Sequence, residues 1–330
     1  MDERVEGWFP HLLGFILPII TITGVYLGGW WSAGGLVWAL GIGPIIDLLS
    51  PEGIPTRKDD FSTTPWNMLL IGHSVAAIAA ISVLMYRAQL DGLVMTTIAA
   101  AISVGLVSGV SGIINAHEQG HRKKGSLIWR MGRINLLWVM YMHFTTEHNH
   151  GHHRHYATEL DPASSPKGRG LWTQIARTVP LQFMSAWKTH SDKGRTVLKN
   201  PILHGLLIQI SFVSAIWFGL GVDAMLAFLL SAGFAIVLLE FVNYIQHYGL
   251  RVKEGGKATM MHSWESRKLW SRWTLMELPL HPAHHLKASE PMWGLRGQSG
   301  SPQLPHGYYV CFWLVIIPPL WKAIMDKRIP

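Results

Sequence analysis

The chain has 330 residues, of which 49% are hydrophobic and only 15% charged, with a mean hydropathy of +0.21. A soluble domain of this length would carry about 25% charged residues, and the deficit here falls in windows of about 20 residues with no formal charge, which is the signature of membrane spans. The net charge of +8 does not point to nucleic acid, because the basic residues lie in loops between apolar runs, where anionic lipid and membrane insertion account for them.

Taken in chain order, the apolar runs predict six transmembrane helices at about Phe9–Trp30, Trp31–Leu49, Trp66–Tyr86, Leu93–Asn115, Leu203–Leu220 and Ala224–Gln246. They pair into three hairpins through the short turns Gly-Gly-Trp-Trp-Ser, Arg-Ala-Gln-Leu-Asp-Gly and Gly-Val-Asp, with Trp and Tyr at several ends as interfacial anchors. The opening Met-Asp-Glu-Arg is as acidic as it is basic, and no small-residue cleavage site follows the first run, so that run is read as a retained span. With the N-terminus inside, segments 1–8, 50–65, 116–202 and 247–330 face inward and hold every Lys and Arg of the 28 except Arg87. The positive-inside rule therefore places both termini in the cytoplasm, and the expected location is a bacterial inner membrane. Ile134–Phe144 is apolar but too short to span, and predicts a re-entrant or interfacial helix. Tyr308–Ile324 is broken by Pro318-Pro319 and predicts an interfacial helix. No internal repeat or low-complexity linker interrupts the chain, so residues 1–330 read as a single domain.

All four inward histidine clusters stand at the ends of these runs or on the polar stretches after them. His117-Glu118-Gln-Gly-His121 places two imidazoles four residues apart, on one helix face. Glu147-His148-Asn-His-Gly-His152-His153 puts His148 and His152 on one face with His153 beside them, while His150 and His155 point elsewhere. His247 ends the sixth span, and His281-Pro-Ala-His284-His285 offers ligands at i, i+3 and i+4 of a short helix that Pro282 can begin. Two turns above His247 lies Glu240, an ionisable group in an apolar run, expected to accept a hydrogen bond from a ligand histidine or from the intramembrane His73.

His-Glu-x-x-His is also the zinc-protease pattern, with Glu118 as base, but such an enzyme needs two histidines and one further ligand and leaves the rest unexplained. Nine neutral imidazoles suit two metals of four to five ligands each, with positions left open for oxygen. A metal transporter would need polar residues along a path at mid-membrane depth, where only His73 and Glu240 occur. Cys311 is the single cysteine, so no Cys-x-x-Cys redox centre exists in the chain, and electrons for any redox chemistry come from another polypeptide.

The ordered boxes His117–Arg122, Glu147–Ala163, Asn243–Leu250 and Leu280–His285, with Gly43-Pro-Ile-Ile-Asp47 and the tail Pro318–Asp326, resemble the membrane-bound alkane 1-monooxygenase family of the histidine-box desaturase and hydroxylase superfamily. The resemblance covers nearly the whole chain. It implies a non-haem centre of two iron ions held by His117, His121, His148, His152, His153, His247, His281, His284 and His285. It also implies insertion of one atom of dioxygen into a terminal C–H bond of an apolar substrate, with electrons from a rubredoxin or ferredoxin-type donor and its reductase. Supporting positions around the ligands are Glu118, Glu147, Asp161, Glu240, Asn243 and Glu277. The chain departs from the family at its third box, where Leu-Pro-Leu-His-Pro-Ala-His-His-Leu stands for Leu-Gln-Arg-His-Ser-Asp-His-His-Ala. The ligands survive, but the change leaves open a medium- or long-chain alkane, an alkyl-aromatic methyl group, or lipid desaturation. Trp38, roughly 13 Å deeper than Asp47 on the second span, is a candidate floor for the substrate channel.

Overall fold

Six charge-poor runs form six helices long and apolar enough to cross a membrane. They are α1 (Phe9–Leu27), α2 (Gly29–Leu49), α3 (Thr64–Asp91), α4 (Met95–Gly120), α8 (Pro201–Leu220) and α9 (Val222–His247). Between and after them lie α5 (Leu127–Trp138), α6 (residues 144–155), α7 (Leu171–Ser191), α10 (Leu269–Thr274), α11 (His281–Leu286), α12 (Tyr308–Val315) and α13 (Pro318–Met325). This computed structural model describes residues 6–56, 62–253 and 256–330, and contains no sheet among them. The chain is a multi-pass, all-helical membrane protein, and the predicted spans lie on the observed ones to within a turn at most ends.

The centre of the bundle is α4, whose span is 78% buried. Its small residues let neighbouring backbones approach closely: a Cβ on Gly105 would stand 2.9 Å from the Ser231 carbonyl oxygen of α9. Leu84, Val104, Val107 and Phe228 fill the layer between α3, α4 and α9. At the end of the bundle away from the histidines Arg87 has a structural task. Arg87 Nε donates to the Val25 carbonyl at 3.0 Å, and its guanidinium also reaches the Tyr26 carbonyl, so it satisfies the orphan carbonyls at the end of α1.

At the opposite end the inward segments fold over the bundle. Ser271 of α10 donates to Asp47 at the end of α2 (2.7 Å), and Arg272 pairs with Glu277 (2.8 Å) and Glu6 (2.6 Å). The apolar run expected at Ile134–Phe144 is divided. α5 stops at Trp138, Met140 takes a left-handed φ of 56°, and α6 begins at Phe144, so the chain reverses and does not continue as one helix. The tail is likewise two helices, α12 and α13, bent by 119° where Pro318-Pro319 cannot continue the ladder. α12 stands against α2, where Trp313 Nε1 donates to the Leu40 carbonyl (2.8 Å), and against α9, where Phe312 meets Phe241 edge-on.

Candidate metal centre

Four pieces of the inward layer carry the histidines to one place. α4 contains a π-helical turn, Ser108–Ile114, just before His117 and His121. α6 is α-helical at both ends and π-helical over His148–His152, and Asn149 Nδ2 ties it to the Gly120 carbonyl at 3.1 Å. His247 is the last residue of α9, and α11 starts at His281 with Pro282 in its first turn. Their nitrogens gather into two groups. One holds His117, His121, His148, His153 and His284, the other His152, His247, His281 and His285, and within each the ligand atoms lie within 4.8 Å of one another.

The Nε2 atoms face each other at separations that hydrogen bonding cannot explain. His285 Nε2 lies 2.9 Å from His281 Nε2, 3.2 Å from His152 Nε2 and 3.3 Å from His247 Nε2. One ring nitrogen carries one proton or one lone pair, so it cannot bond to three others. In the larger group His117 and His153 each stand 3.0 Å from His284, and His153 stands 3.0 Å from His148. Nitrogens bound at about 2.1 Å to a common cation lie roughly 3.0–3.4 Å apart along the edges of its coordination shell. Each group therefore fits one metal ion. Burial and neighbouring imidazoles hold His148, His281, His284 and His285 well below the usual histidine range, and burial beside Arg122 brings His121 down to about 4, so these rings are neutral and ready to ligate.

The π turn decides which histidine joins which group. In a regular α-helix His148 and His152 share a face, as their spacing predicts. Here the wider turn brings residues five apart into register, so His148 joins His153 and sends His152 to the other group. Behind His152 the Asp161 carboxylate lies 3.0 Å from Nδ1 and accepts from Ser164 Oγ (2.6 Å) and the Ala163 amide (3.1 Å). Burial alone would raise the Asp161 carboxyl, and the His152 and Ser164 contacts more than offset that, so it stays ionised. The Nδ1 of His247 faces the His262 carbonyl oxygen (3.3 Å).

Both groups border one cavity between the helices. Its wall is apolar, made by Leu17, Leu40, Leu106, Val110, Leu238 and Phe312 among others, and it reaches His117, His148 and His281. From His117 back to Leu106 along α4 it runs roughly 16 Å into the membrane.

A family model for fatty acid desaturase matches residues 93–314, which include every histidine of both groups. Alkane 1-monooxygenase 2 of Alcanivorax borkumensis is 33% identical over 95% of this chain and 87% of its own length. Alkane 1-monooxygenase 1 of Pseudomonas aeruginosa is 30% identical over 91% and 83%. The chain belongs to the alkane 1-monooxygenase family. It is an oxidoreductase, a membrane hydroxylase that uses dioxygen and an electron donor. The hydroxylase component of the xylene/toluene monooxygenase of Pseudomonas putida is more distant, at 24% identity over 95% of this chain and 87% of that one.

The remaining predicted positions of this monooxygenase are dispersed around the two groups. Asp161 stands directly behind a group histidine. Asn243 and Glu240 form a pair at the cavity wall: Asn243 lines it and donates to Glu240 at 3.2 Å. The other partners of Glu240 are Gln182 (3.3 Å) and Tyr141 (3.4 Å), in place of the expected ligand histidine or His73. His73 instead bonds Ser111 (2.9 Å) and stacks on Phe15. Glu147 is a buried residue of α6, and burial next to Asp161 and Glu240 pushes its carboxyl well above the usual range. Glu118 and Glu277 lie in structural ion pairs. Glu118 accepts from Arg122 (2.7 Å) and from the Met292 amide (3.1 Å), which occupies both oxygens and leaves no free base for a zinc-protease mechanism. Glu277 joins Arg272 and His11. Trp38 does not line the cavity; its neighbours Ala39 and Leu40 do, while its indole meets Trp270 edge-on. Tyr156, which the sequence did not single out, stacks on His285 with centroids 3.9 Å apart. Its only sequence signal is its place within the second box, three residues after His153.

Proposed function

We propose that the two histidine groups hold two iron ions and that the enzyme hydroxylates the terminal methyl group of an apolar substrate, a medium- or long-chain alkane. The observation that carries this reading is the single apolar cavity that ends on histidines of both groups. Iron, when bound, supplies the binding and reductive activation of dioxygen. The chain supplies the rest. Five histidines and four histidines fix the ions, Asp161 orients His152 and strengthens it as a ligand, and the apolar wall admits a hydrocarbon from the bilayer while excluding water. Shape, and not hydrogen bonding, then positions the terminal carbon at His117, His148 and His281. The net reaction takes substrate RH, one dioxygen, two electrons and two protons to ROH and water.

The electrons come from a rubredoxin or a ferredoxin-type protein, since Cys311 alone cannot hold a cluster. All 330 residues serve this one domain in a bacterial inner membrane, with both termini and the metal centre on the cytoplasmic side. A second reading, hydroxylation of an alkyl-aromatic methyl group, draws on the likeness to the xylene/toluene enzyme and on the apolar third box. Metal analysis of the purified protein, followed by product analysis with a reductase system and a series of alkanes and methylarenes, separates these readings. About two irons per chain and 1-alkanol products are expected. Full activity with one zinc and no iron would overturn the proposal, and benzylic alcohols alone would transfer it to the second reading.

A further inference from the structure

A solvent-open groove, distinct from the substrate cavity, runs behind α6 between the loop that follows it and α7. Its rim carries Arg154, Arg169, Arg177, Lys188, Lys193 and Arg251, against two exposed carboxylates, Glu159 and Asp192. Lys188 answers Asp192 at 3.4 Å, and Arg251 braces the loop by donating to the carbonyls of Thr158 (2.6 Å) and Ser164 (3.0 Å). Within this basic rim Leu160 is 72% exposed and Met184 61%. A small apolar centre ringed by one sign of charge suits a short-lived encounter with a partner of the opposite charge.

The floor of the groove is what connects it to the chemistry. Gly151 and Asp161 form part of it. Gly151 belongs to the π turn itself, between His148 and His152, where a Cβ would stand 2.8 Å from Glu147 Oε1 and 2.9 Å from Ser185 Oγ. Asp161 reaches from the groove wall to His152 Nδ1 at 3.0 Å. The buried Asp161 carboxylate therefore stands between the groove and His152, a member of the four-histidine group.

We propose that this groove is the docking site of a soluble one-electron carrier with an acidic surface, which reduces the metal centre through the Asp161–His152 side. The inference rests on the proposed hydroxylation, in which RH, dioxygen, two protons and two electrons give ROH and water. Each docking event oxidises one carrier by one electron, so two events complete a turnover. The other basic stretch near the histidines, Arg122-Lys123-Lys124, is a poorer platform. Arg122 is held by Glu118 at 2.7 Å and lies over Trp293 at 4.3 Å, so only the two lysines are free to meet a partner.

The test uses the full chain in nanodiscs of zwitterionic lipid, with a purified acidic rubredoxin as probe. Arg177→Glu combined with Lys193→Glu reverses the rim without touching a histidine or the cavity, and Lys123→Glu with Arg130→Glu is the control, Lys124 being left in place because it lies near His150 at the groove. The rim variant should raise both the Kd and the KM for rubredoxin by about tenfold, with a weaker salt dependence, while the control changes them less than about twofold. Iron content and reduction by dithionite should match wild type in both, which separates lost docking from lost folding. Wild-type affinity in the rim variant, or a larger loss in the control, would overturn the proposal. So would a rim variant whose only defect is weaker flotation with phosphatidylglycerol vesicles, which would make the groove a lipid site. A chain that bound no iron would sink the functional reading instead, and the rubredoxin Kd would still decide the docking site.

Discussion

The two histidine groups differ in what stands behind their rings. In the five-histidine group, support comes from packing: Phe144 stacks on His148 with centroids 5.1 Å apart, and His117 leans on the same phenyl ring at 6.4 Å. In the four-histidine group, two rings have polar support, Asp161 facing His152 and the His262 carbonyl facing His247, while Tyr156 covers His285 by stacking. A carboxylate behind an imidazole fixes its tautomer and raises its basicity, whereas an aromatic ring fixes only its position. The difference follows location. His117 and His148 both form cavity wall, where a polar support would be wasted on an apolar substrate, while Asp161 faces the groove on the aqueous side.

The largest test of this division removes one ligand from each group. His284→Ala and His285→Ala are adjacent in sequence but belong to different groups. Each should lower iron from about two per chain to about one and abolish hydroxylation, with the six spans still inserted. If either variant kept two irons and near wild-type turnover, the assignment of that ligand would be wrong. If both lost both irons, the two groups would behave as one cooperative site and the comparison would fail.

A smaller effect is expected behind the ligands. Asp161→Asn keeps the shape of the side chain and removes its charge, so iron affinity of the four-histidine group should fall about 10–100-fold. Phe144→Leu alters the packed support of the other group and should cost much less. Chelator challenge reads both: the Asp161 variant should release one iron in a new fast phase, and the Phe144 variant should release its iron near the wild-type rate. Equal behaviour of the two variants would mean that the polar and the packed supports are not different in kind.

The comparison also shows which parts of the molecule were legible in the sequence. Spans were, because twenty uncharged residues allow few alternatives in lipid, and so was the set of histidines, because imidazole is scarce and spaced to fit helices. The division of ligands was not. Reading His148 and His152 as partners assumes 3.6 residues per turn, and nothing in Glu-His-Asn-His-Gly-His-His announces a π turn. α7 was missed for a related reason. Its inward face, Leu171, Gln174, Thr178, Gln182 and Ala186, has helical spacing but polar side chains, so no apolar stripe marks it. One of them, Gln182, answers Glu240, whose partners were sought among nearby histidines because α7 was not in view. The tail was read as one interfacial helix; its two prolines mark a bend of 119°, and the part before them supplies Tyr308, Tyr309 and Phe312 to the cavity wall, which hydropathy does not reveal.

The smallest expected effect concerns the deep end of the cavity and completes the contrast between packed and polar support. Depth along α2 suggests Trp38 as the floor, but Ala39 is the residue of that turn that faces the cavity, beside Leu40. A bulky group at Ala39 would occupy the space itself, whereas a change at Trp38 acts only by letting α2 shift against Trp270. Ala39→Phe should therefore move the preferred alkane to shorter chains, with iron content unchanged. Trp38→Ser should move it the other way and by less, because removing the indole relaxes the helix that carries Ala39 and Leu40. Profiles of alkane length against turnover measure both. If Trp38→Ser produced the larger shift, the indole would be the floor after all. If neither variant changed the profile while both bound iron and inserted normally, chain length would be set elsewhere, at Leu17 or Leu106.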